Sequence, residues 1–469
     1  MALPQTPQDW ITRLAQAHDT DRNRLKALND EYELQSPRSY MHPDVLRELG
    51  DRLQQVVIAW PQLVVDSVEE RLDPEGFRLP DQDAGDDDLW RIWQENNADE
   101  LSQLGRVDAL VMSRSYMCVG ANENDPDTPL ITFESPLEMY ADIDPRDRSV
   151  RAALRRWIDP EAAPILVPGT TPPISNLGTA YATLYLPDVT IWYANGVEQD
   201  RDEHGLGKVP VVPLVNRSRL ADMLGRSELA PILPLSRAAN KIATDMMVAA
   251  EFVALPQRGI FGIGPDDLED QQGNKTTAMS TYFGRLLLFP PGEEQQPKNF
   301  EFASANLANF HDTINQLARL VASIAGLPPH FLGLTTENPP SADSIRSAEM
   351  RLVKRAERKQ VPFGGAYEQV MRLVQRIREG DWDPRYRRLE TIWRDPSTPT
   401  IAQSADAAVK LFNLPKPIVP LRQTREDLGY SDAQIARMET EDKKAAAEDP
   451  LAAIERQLAS RPQPAGANT

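Results

Sequence analysis

The sequence predicts an α+β chain organised around long helical rods, and three observations predict it. Two segments space their apolar residues alternately by three and four. One carries Leu307, Phe310, Ile314, Leu317, Val321 and Ile324, the other Leu235, Ala239, Ile242, Met246 and Ala249. Such spacing lays one narrow stripe along a helix, suited to packing on a neighbouring helix. A third long helical segment, rich in arginine, follows a Pro/Gly/Thr-rich loop after the first of these stripes. The N-terminal half instead alternates short β-branched and aromatic runs with turn signals, the pattern of strands. At 469 residues the chain is long enough for two or three domains or one elongated multi-part body.

Taken in order, Trp10, Ile11, Leu14 and Ala17 fall at helical spacing, as do Val45, Leu46 and Leu49. Residues 62–72 read as a short amphipathic helix ending near Pro74, before an extended piece at Gly76-Phe77-Arg78-Leu79. The stretch from Asp81 to Asp88, with five aspartates, reads as a solvated loop. A helix is expected from Leu89 toward Leu104, stopped by Gly105. Residues 107–119 and 130–143 look strand-like, separated by the turn Asn122-Glu123-Asn124-Asp125-Pro126. Residues 159–178 are proline-rich and read as a surface connection. Strands return at 182–186, 189–193 and 209–215, with the turn pair Asn195-Gly196 between the second and third.

In the second half, Pro231 and Pro234 confine the earlier rod to its later turns. Residues 253–302 differ in kind: 258–263 and 285–289 look like short strands flanking a polar loop from Gly264 to Ser280. Two rods joined by a small β-bearing tip result. Gly326, Pro328 and Pro329 end the second rod, and Asn338-Pro339-Pro340-Ser341 supplies capping oxygens and first-turn prolines for the third helix. On that helix Ile345, Ala348, Leu352 and Ala356 form the apolar stripe, while Arg346, Arg351, Lys354, Arg355, Arg358 and Lys359 crowd the rest. An exposed charged face and direct DNA contact are alternatives there. Pairing with acidic surface on an adjacent subunit is the preferred reading, because the rest of the chain is so acidic. Pro362 with Gly364-Gly365 predicts a kink or break before the helix resumes at Tyr367. Thr391-Ile392-Trp393 reads as a strand and residues 400–440 as several short helices. The stretch after 441 reads as part helical and part disordered.

Motifs for chemistry are scarce. Gly273-Asn274-Lys275-Thr276 has the wrong order for a phosphate loop, and Gly207-Lys208 is followed by Val209. His18, His42, His204, His311 and His330 show no ligand spacing, and Asp86-Asp87-Asp88 is a solvated run before it is a cation site. No G-x-S-x-G elbow offers a nucleophile, and Cys118 reads as a small core residue. No enzymatic activity, metal or cofactor is therefore expected. A single cysteine excludes an internal disulfide framework and points to folding in a reducing cytosol. No run reaches the roughly 20 apolar residues needed to span a bilayer, and Met1-Ala2-Leu3-Pro4 lacks a signal peptide's basic start and apolar run. The net charge of −19 disfavours a sequence-specific DNA binder. It fits either simple solubility or a surface that passes near nucleic acid without sticking.

The order of parts, helix, β-bearing tip, helix, Pro-rich loop and long helix, resembles the portal proteins of tailed double-stranded-DNA phages of the siphophage type. Several phrases carry the resemblance over roughly residues 30 to 440. They are Val64-Val65-Asp66-Ser67-Val68, Pro210-Val211-Val212-Pro213 with Asn216-Arg217, and Gly225-Arg226-Ser227-Glu228-Leu229. Pro256-Gln257-Arg258, Gly326-Leu327-Pro328-Pro329, Ser341-Ala342-Asp343-Ser344-Ile345, Trp393-Arg394-Asp395-Pro396 and Leu428-Gly429-Tyr430 follow.

The resemblance implies a ring of about twelve subunits at one capsid vertex, a channel for packaging, retaining and ejecting the genome. It implies a wing over 1–225, stem helices over 226–252 and 303–326, and a clip over 253–302. A tunnel loop would follow at 327–341, then a long wing helix and wing strand over 342–396, a short crown over 397–440 and a flexible tail over 441–469. Thr335, Thr336, Glu337 and Asn338 would face DNA in the channel, and Leu235, Ile242 and Met246 would pack the stem with the stripe from Leu307 to Ile324. Arg258 and Lys275 would meet partners at the clip, and Arg346, Arg351, Lys354, Arg355 and Arg358 an adjacent subunit. The implied partners are the chain itself, non-specific double-stranded DNA, the large terminase, the head-tail adaptor, and the major capsid and scaffolding proteins, with assembly in the host cytoplasm and no membrane. The rival readings are a capsid-associated scaffolding protein without a pore and an enzyme of DNA packaging.

Overall fold

A computed structural model describes residues 3–37, 39–41, 55–80, 82, 85–159, 179–254, 258–261, 286–289, 298–301, 307–334, 342–397, 410, 419–430 and 432–448. Helix α1 (Pro7–Tyr32) opens behind Thr6, whose side chain caps the Asp9 amide while Asp9 reaches back to the Thr6 amide. Its apolar face, with Leu14 at the centre, lies on one face of an antiparallel sheet of order β4-β5-β6-β7-β8. Those strands are β4 (Met139–Ile143), β5 (Val150–Asp159), β6 (Thr179–Tyr185), β7 (Thr190–Ala194) and β8 (Val197–Asp202). Every residue of β8 is exposed, and its alternating charges protect this outer edge from pairing with a stray strand.

A second sheet, of order β3-β2-β9, joins β2 (Arg114–Gly120), β3 (Leu130–Glu134) and β9 (Val211–Val215). A ribbon pairs β1 (Pro74–Arg78) with β13 (Glu390–Trp393), tying chain segments some three hundred residues apart. Around these pack α2 (Trp60–Glu69), α3 (Asp87–Glu95) and α4 (Ala98–Met112). Next come α5 (Leu233–Ala254) and α6 (Ala308–Ala325), which pack on each other. Between them a three-stranded sheet forms from β10 (Arg258–Phe261), β11 (Leu286–Phe289) and β12 (Lys298–Glu301), in order β11-β10-β12 with β10 and β11 parallel. The spine is α7 (Ala342–Glu379), and α8 (Leu421–Asp427) and α9 (Asp432–Glu448) come last.

The main core is aromatic where α3 and α7 meet. The Trp93 ring lies 5.0 Å from Tyr367, 5.4 Å from Phe77 and 6.2 Å from Phe133, all at tilted or edge-on angles. Beside it the fully buried Arg106 donates to Glu69 Oε1 at 2.7 Å and to the Tyr367 hydroxyl at 3.2 Å. A buried guanidinium is tolerable only with such partners.

Several boundaries differ from those expected. Gly105 does not stop its helix: α4 runs through it, and the glycine leaves room for the Phe133 ring, which a Cβ there would approach to 2.8 Å. The helix break falls earlier, at Asn97, which adopts left-handed φ 51°. Residues 107–112 are consequently helical and only 114–120 form a strand, with Ser113 at φ 77° making the switch. Strand β5, whose paired arginines and alanines hide the alternation, and β8, polar apart from Val197, lie outside the expected strands. The aspartate run ends as a cap, since Asp86 accepts from the Asp88 and Leu89 amides. The turn at Asn195-Gly196 forms as expected, with φ 49° and 79°.

Helix α7 is unbroken at Pro362. The proline is exposed, so its missing N–H falls on the wet side. Leu352, Ala356, Phe363, Tyr367, Val370 and Val374 all sink into one core on the other side. Burial at roughly 2 kcal/mol per large side chain outweighs the roughly 3 kcal/mol an internal proline costs. Ala348, expected on that apolar stripe, is exposed, and Ile345 is half-buried.

Asp108 lies near Glu33 with Ser135 as its hydrogen-bond donor, and burial pushes its carboxyl up to about 6 from 3.8. The folded chain therefore holds a proton there between pH 3.8 and 6 that the unfolded chain releases, so this group's contribution falls as pH rises through that window. Asp108→Asn is expected to stabilise the fold at pH 7.5 by on the order of 2 kcal/mol, seen as a higher melting temperature, and to lose the gain below pH 4. An unchanged or lowered melting temperature at pH 7.5 would count against this account.

Candidate functional site

Beyond β9 the chain turns sharply, and the turn builds the most highly charged buried site of the fold. Asn216 donates its amide to Ser113 O at 2.9 Å, and Arg217 adopts φ 50°. The chain returns through Gly225 at φ +76°, where a Cβ would lie 2.3 Å from Asn216 O and 2.7 Å from Ser113 O. Only glycine fits so close an approach. Asn216 Nδ2 then donates to Arg226 O at 2.7 Å, and the Glu228 amide to Leu110 O at 2.8 Å.

This weave delivers the Glu228 carboxylate, fully buried, to the flank of α7. Arg217 Nη2 stands 2.6 Å from Glu228 Oε2, Arg355 donates to the same oxygen, and Lys359 donates to Oε1. Lys359 also donates to Asn216 Oδ1 at 2.6 Å, and Asn216 Nδ2 approaches Glu228 Oε1 at 3.2 Å. Burial alone would raise the Glu228 pKa, but Lys359, Arg355 and Arg217 outweigh it and hold the carboxyl below its ordinary value. Burial pulls Lys359 down to about 8, because Glu228 compensates it only in part and Arg217 and Arg355 repel it. Burial likewise lowers Arg355.

The site fixes α7 midway, and further contacts fix its start. Arg351 Nη1 donates to Ser323 O at 2.7 Å and packs over Gly326, the left-handed residue ending α6. Arg71 holds Glu349 at 3.3 Å and donates to Pro396 O at 2.7 Å. Residues 327–341 thus connect two anchored helix ends. A short turn at Pro329–Leu332 and Gly333 at φ +74° lead out of α6.

The expected site residues fall as follows. In α6 Val321 is buried, Leu307, Phe310, Ile314 and Leu317 are half-buried, and Ile324 is 42 % exposed. The side turned to the core is Ala318, Val321, Ala322 and Ala325, rotated from the expected stripe. In α5 Leu235, Ile242 and Met246 are half-buried beside buried Ala239 and Ala243. Arg258 opens β10 in register with Leu286 and Glu301. Thr335, Thr336, Glu337, Asn338 and Lys275 lie outside the described residues. Of the basic set on α7, Arg346 is half-buried, Lys354 pairs with Glu357, Arg358 is exposed, Arg351 bonds to Ser323 O and Arg355 to Glu228. Glu228, Asn216 and Lys359 as one buried cluster escaped residue-level reading. The signal was present only as the phrases Asn216-Arg217 and Gly225-Arg226-Ser227-Glu228-Leu229.

Among the described residues no group of three or more His, Cys, Asp or Glu side chains is placed to hold a metal ion, and no helix is long and apolar enough to cross a membrane. An open groove of about 1030 Å³ runs between the five-stranded sheet and the end of α7, where Lys208 Nζ lies 4.5 Å from the centre of the Trp382 ring.

The family model described as "Phage portal protein, SPP1 Gp6-like" matches residues 11–448. The chain belongs to this portal protein family. The portal protein of Mycobacterium phage D29 is 43 % identical over 402 residues, covering 83 % of this chain and 79 % of its own. That of Mycobacterium phage L5 is 42 % identical over 415 residues, covering 86 % and 82 %. A chain from a structure titled "Virion of native gene transfer agent (GTA) particle" aligns over 87 % of this chain and 98 % of its own, at 14 % identity and a TM-score of 0.45. As a phage portal protein family member the chain is a component of the virion, and the expected resemblance holds.

Glu228→Gln leaves three cations around a neutral amide and is expected to destabilise the portal chain by roughly 3–5 kcal/mol. Lys359→Met leaves Glu228 balanced by two arginines and forfeits the Asn216 bond, a loss of about 1 kcal/mol. Folded Lys359 binds its proton less tightly than the unfolded lysine. Wild-type stability should therefore gain from this group between pH 8 and 10.5, and Lys359→Met should not. Urea titrations at pH 7.5 and 10 check both; equal losses for the two variants would contradict the charge balance described here.

Proposed function

We propose that about twelve copies of the chain close into a ring at one capsid vertex, forming the channel through which the genome is packaged, retained and ejected. Membership of the portal family supports this, together with two packed rods joined by a small sheet and followed by a long anchored helix. In this reading residues 1–225 form the wing, 226–252 and 303–326 the stem, 253–302 the clip and 327–341 the tunnel loop. Residues 342–396 supply the long wing helix and strand, 397–440 the crown, and 441–469 the tail. The chain acts structurally, and ATP hydrolysis belongs to the large terminase, which docks on the clip and later gives way to the head-tail adaptor. Arg258 and Lys275 are the candidate contacts for both. The wing meets the major capsid and scaffolding proteins during assembly in the host cytoplasm.

Thr335, Thr336, Glu337 and Asn338 would present short polar side chains to DNA where the loop narrows the channel. Anchoring at Gly326 and Arg351 on one side and Arg71 and Glu349 on the other favours a loop held at fixed reach. Exposed apolar residues of α5 and α6, Met247, Leu320 and Ile324 among them, would pack between neighbouring stems, and Arg346, Arg351, Lys354, Arg355 and Arg358 would face the adjacent subunit. Light scattering on a sizing column with negative-stain imaging tests the ring: a particle of about twelve chains with a central hole is expected, and a compact particle without a hole would favour a scaffolding role. Removal of residues 334–337 is expected to reduce DNA retention in filled heads without unfolding the chain. Unchanged retention would exclude the loop as the contact.

A further inference from the structure

The two edges of the five-stranded sheet carry opposite chemistry. Strand β4 lies at one edge and β8 at the other, four strand spacings or about 19 Å apart. At the β4 edge the turn into β5 holds Arg148 at φ 64°. Beside it the loop from Asn216 to Gly225 doubles back as a tight hairpin. The Arg219 amide donates to Asp222 O at 2.8 Å, and the Asp222 amide to Arg219 O at 3.1 Å. A cleft of about 630 Å³ between hairpin and turn is lined by Arg148, Arg219 and Arg226 against one acid, Asp222. Asp222 is held by Arg226 at 3.3 Å, and the nearby Asp144 and Asp147 are met by Arg151 and by Ser149. Arg148 and Arg219 have no ion pair among the described residues.

Leu220 and Ala221 form the apex of that hairpin, and Leu220 is 94 % exposed. Two-residue turns favour Asn, Asp or Gly at such positions, so the turn itself gives no reason for an apolar pair. The closed turn also keeps Leu220 from folding back onto its own chain. The β8 edge is the converse. Asp200 stands opposite Trp192 and Asp202 opposite Thr190, on the sheet face turned away from α1. Val197, opposite Ala194, shares that face, and both Trp192 and Val197 are exposed. The strand's one cation, Arg201, lies on the other face and is held by Glu198 at 2.9 Å. Asp200 and Asp202 have no ion pair among the described residues.

We infer that the Leu220 hairpin of one copy seats on the Trp192–Val197 surface of the next, with Arg148 and Arg219 facing Asp200 and Asp202. The inference rests on the ring reading and deepens it. A head-to-tail ring contact needs two different, complementary patches on each subunit. Opposite edges of one sheet present them here, an apolar apex flanked by cations and an apolar floor flanked by carboxylates. Opposed charge of this kind selects the partner and fixes its register. A nucleic-acid backbone would match Arg148 and Arg219 but leave Leu220 and the acidic edge uncovered, so a second copy is favoured.

The test compares full-length wild type with three charge-reversed chains: Arg148→Glu with Arg219→Glu, Asp200→Lys with Asp202→Lys, and all four together. Light-scattering mass is followed across a dilution series, alongside thermal melting of the dissociated chain. All four side chains are exposed, so each dissociated chain should melt as wild type does. Reversing either pair brings like charges together, and the ring should dissociate at a protein concentration at least about tenfold higher. The fourfold variant restores opposite charges and should return the ring to near its wild-type concentration range. Leu220→Asp should weaken the ring as the paired reversals do, and decides the matter alone if those chains fail to fold. Rings that resist dilution equally in every variant overturn this inference and leave the ring reading standing. Paired reversals that the fourfold variant does not rescue overturn it as well. Unchanged rings in which Arg148→Glu with Arg219→Glu has lost retention of double-stranded DNA on filters overturn it in favour of a nucleic-acid contact. A wild type that never assembles overturns both readings.

Discussion

Burying Glu228 under three cations is the constraint on which the arrangement of the long helix depends. A carboxylate in the interior is tolerated only with its charge and lone pairs met, and here the partners come from two separate regions. Arg217 and Asn216 leave β9, while Arg355 and Lys359 sit one turn apart on α7. Their convergence sets the axial position of α7 against the β2-β9 sheet, because a shift by one residue would carry both donors off the carboxylate. Gly225 makes the convergence possible by letting two backbone segments approach more closely than any side chain would allow.

With α7 fixed, other relationships follow. The aromatic cluster of Trp93, Tyr367, Phe77 and Phe133 joins the later turns of α7 to α3 and the two neighbouring sheets. The β1-β13 ribbon rests on Gly364, where a Cβ would lie 3.0 Å from Trp393 Nε1. The helix start is tied to the end of α6 through Arg351 and to the end of α2 through Arg71.

Much of the fold was legible in the sequence because its elements are locally encoded. The helices α5 and α6, the stops at Gly326 and Pro328, the Asn195-Gly196 turn and the strand at Thr391-Ile392-Trp393 each depend on neighbours within a few residues. The errors arose where a distant partner overrode the local signal. Gly105 reads as a helix stop and is instead a space for Phe133. Pro362 reads as a break and is outweighed by a shared core on the opposite side. Strand β5 hides its alternation because its arginines bind to other elements, Arg155 to Glu134 of β3 at 2.9 Å and Arg156 to Asp19 of α1 at 2.6 Å.

The candidate site divides in the same way. Periodicity and composition by themselves determined the rods, the β-bearing tip between them, the basic character of α7 and, through ordered phrases, the portal family. Only the tertiary structure decided which of those basic residues are spent inside the chain. Arg355 and Lys359 look like surface charge in a list of residues, and only the return of the chain through Gly225 brings Glu228 beneath them. Helical spacing states which residues share a face, whereas the counter-charge that meets them comes from more than a hundred residues away, and no local pattern encodes it.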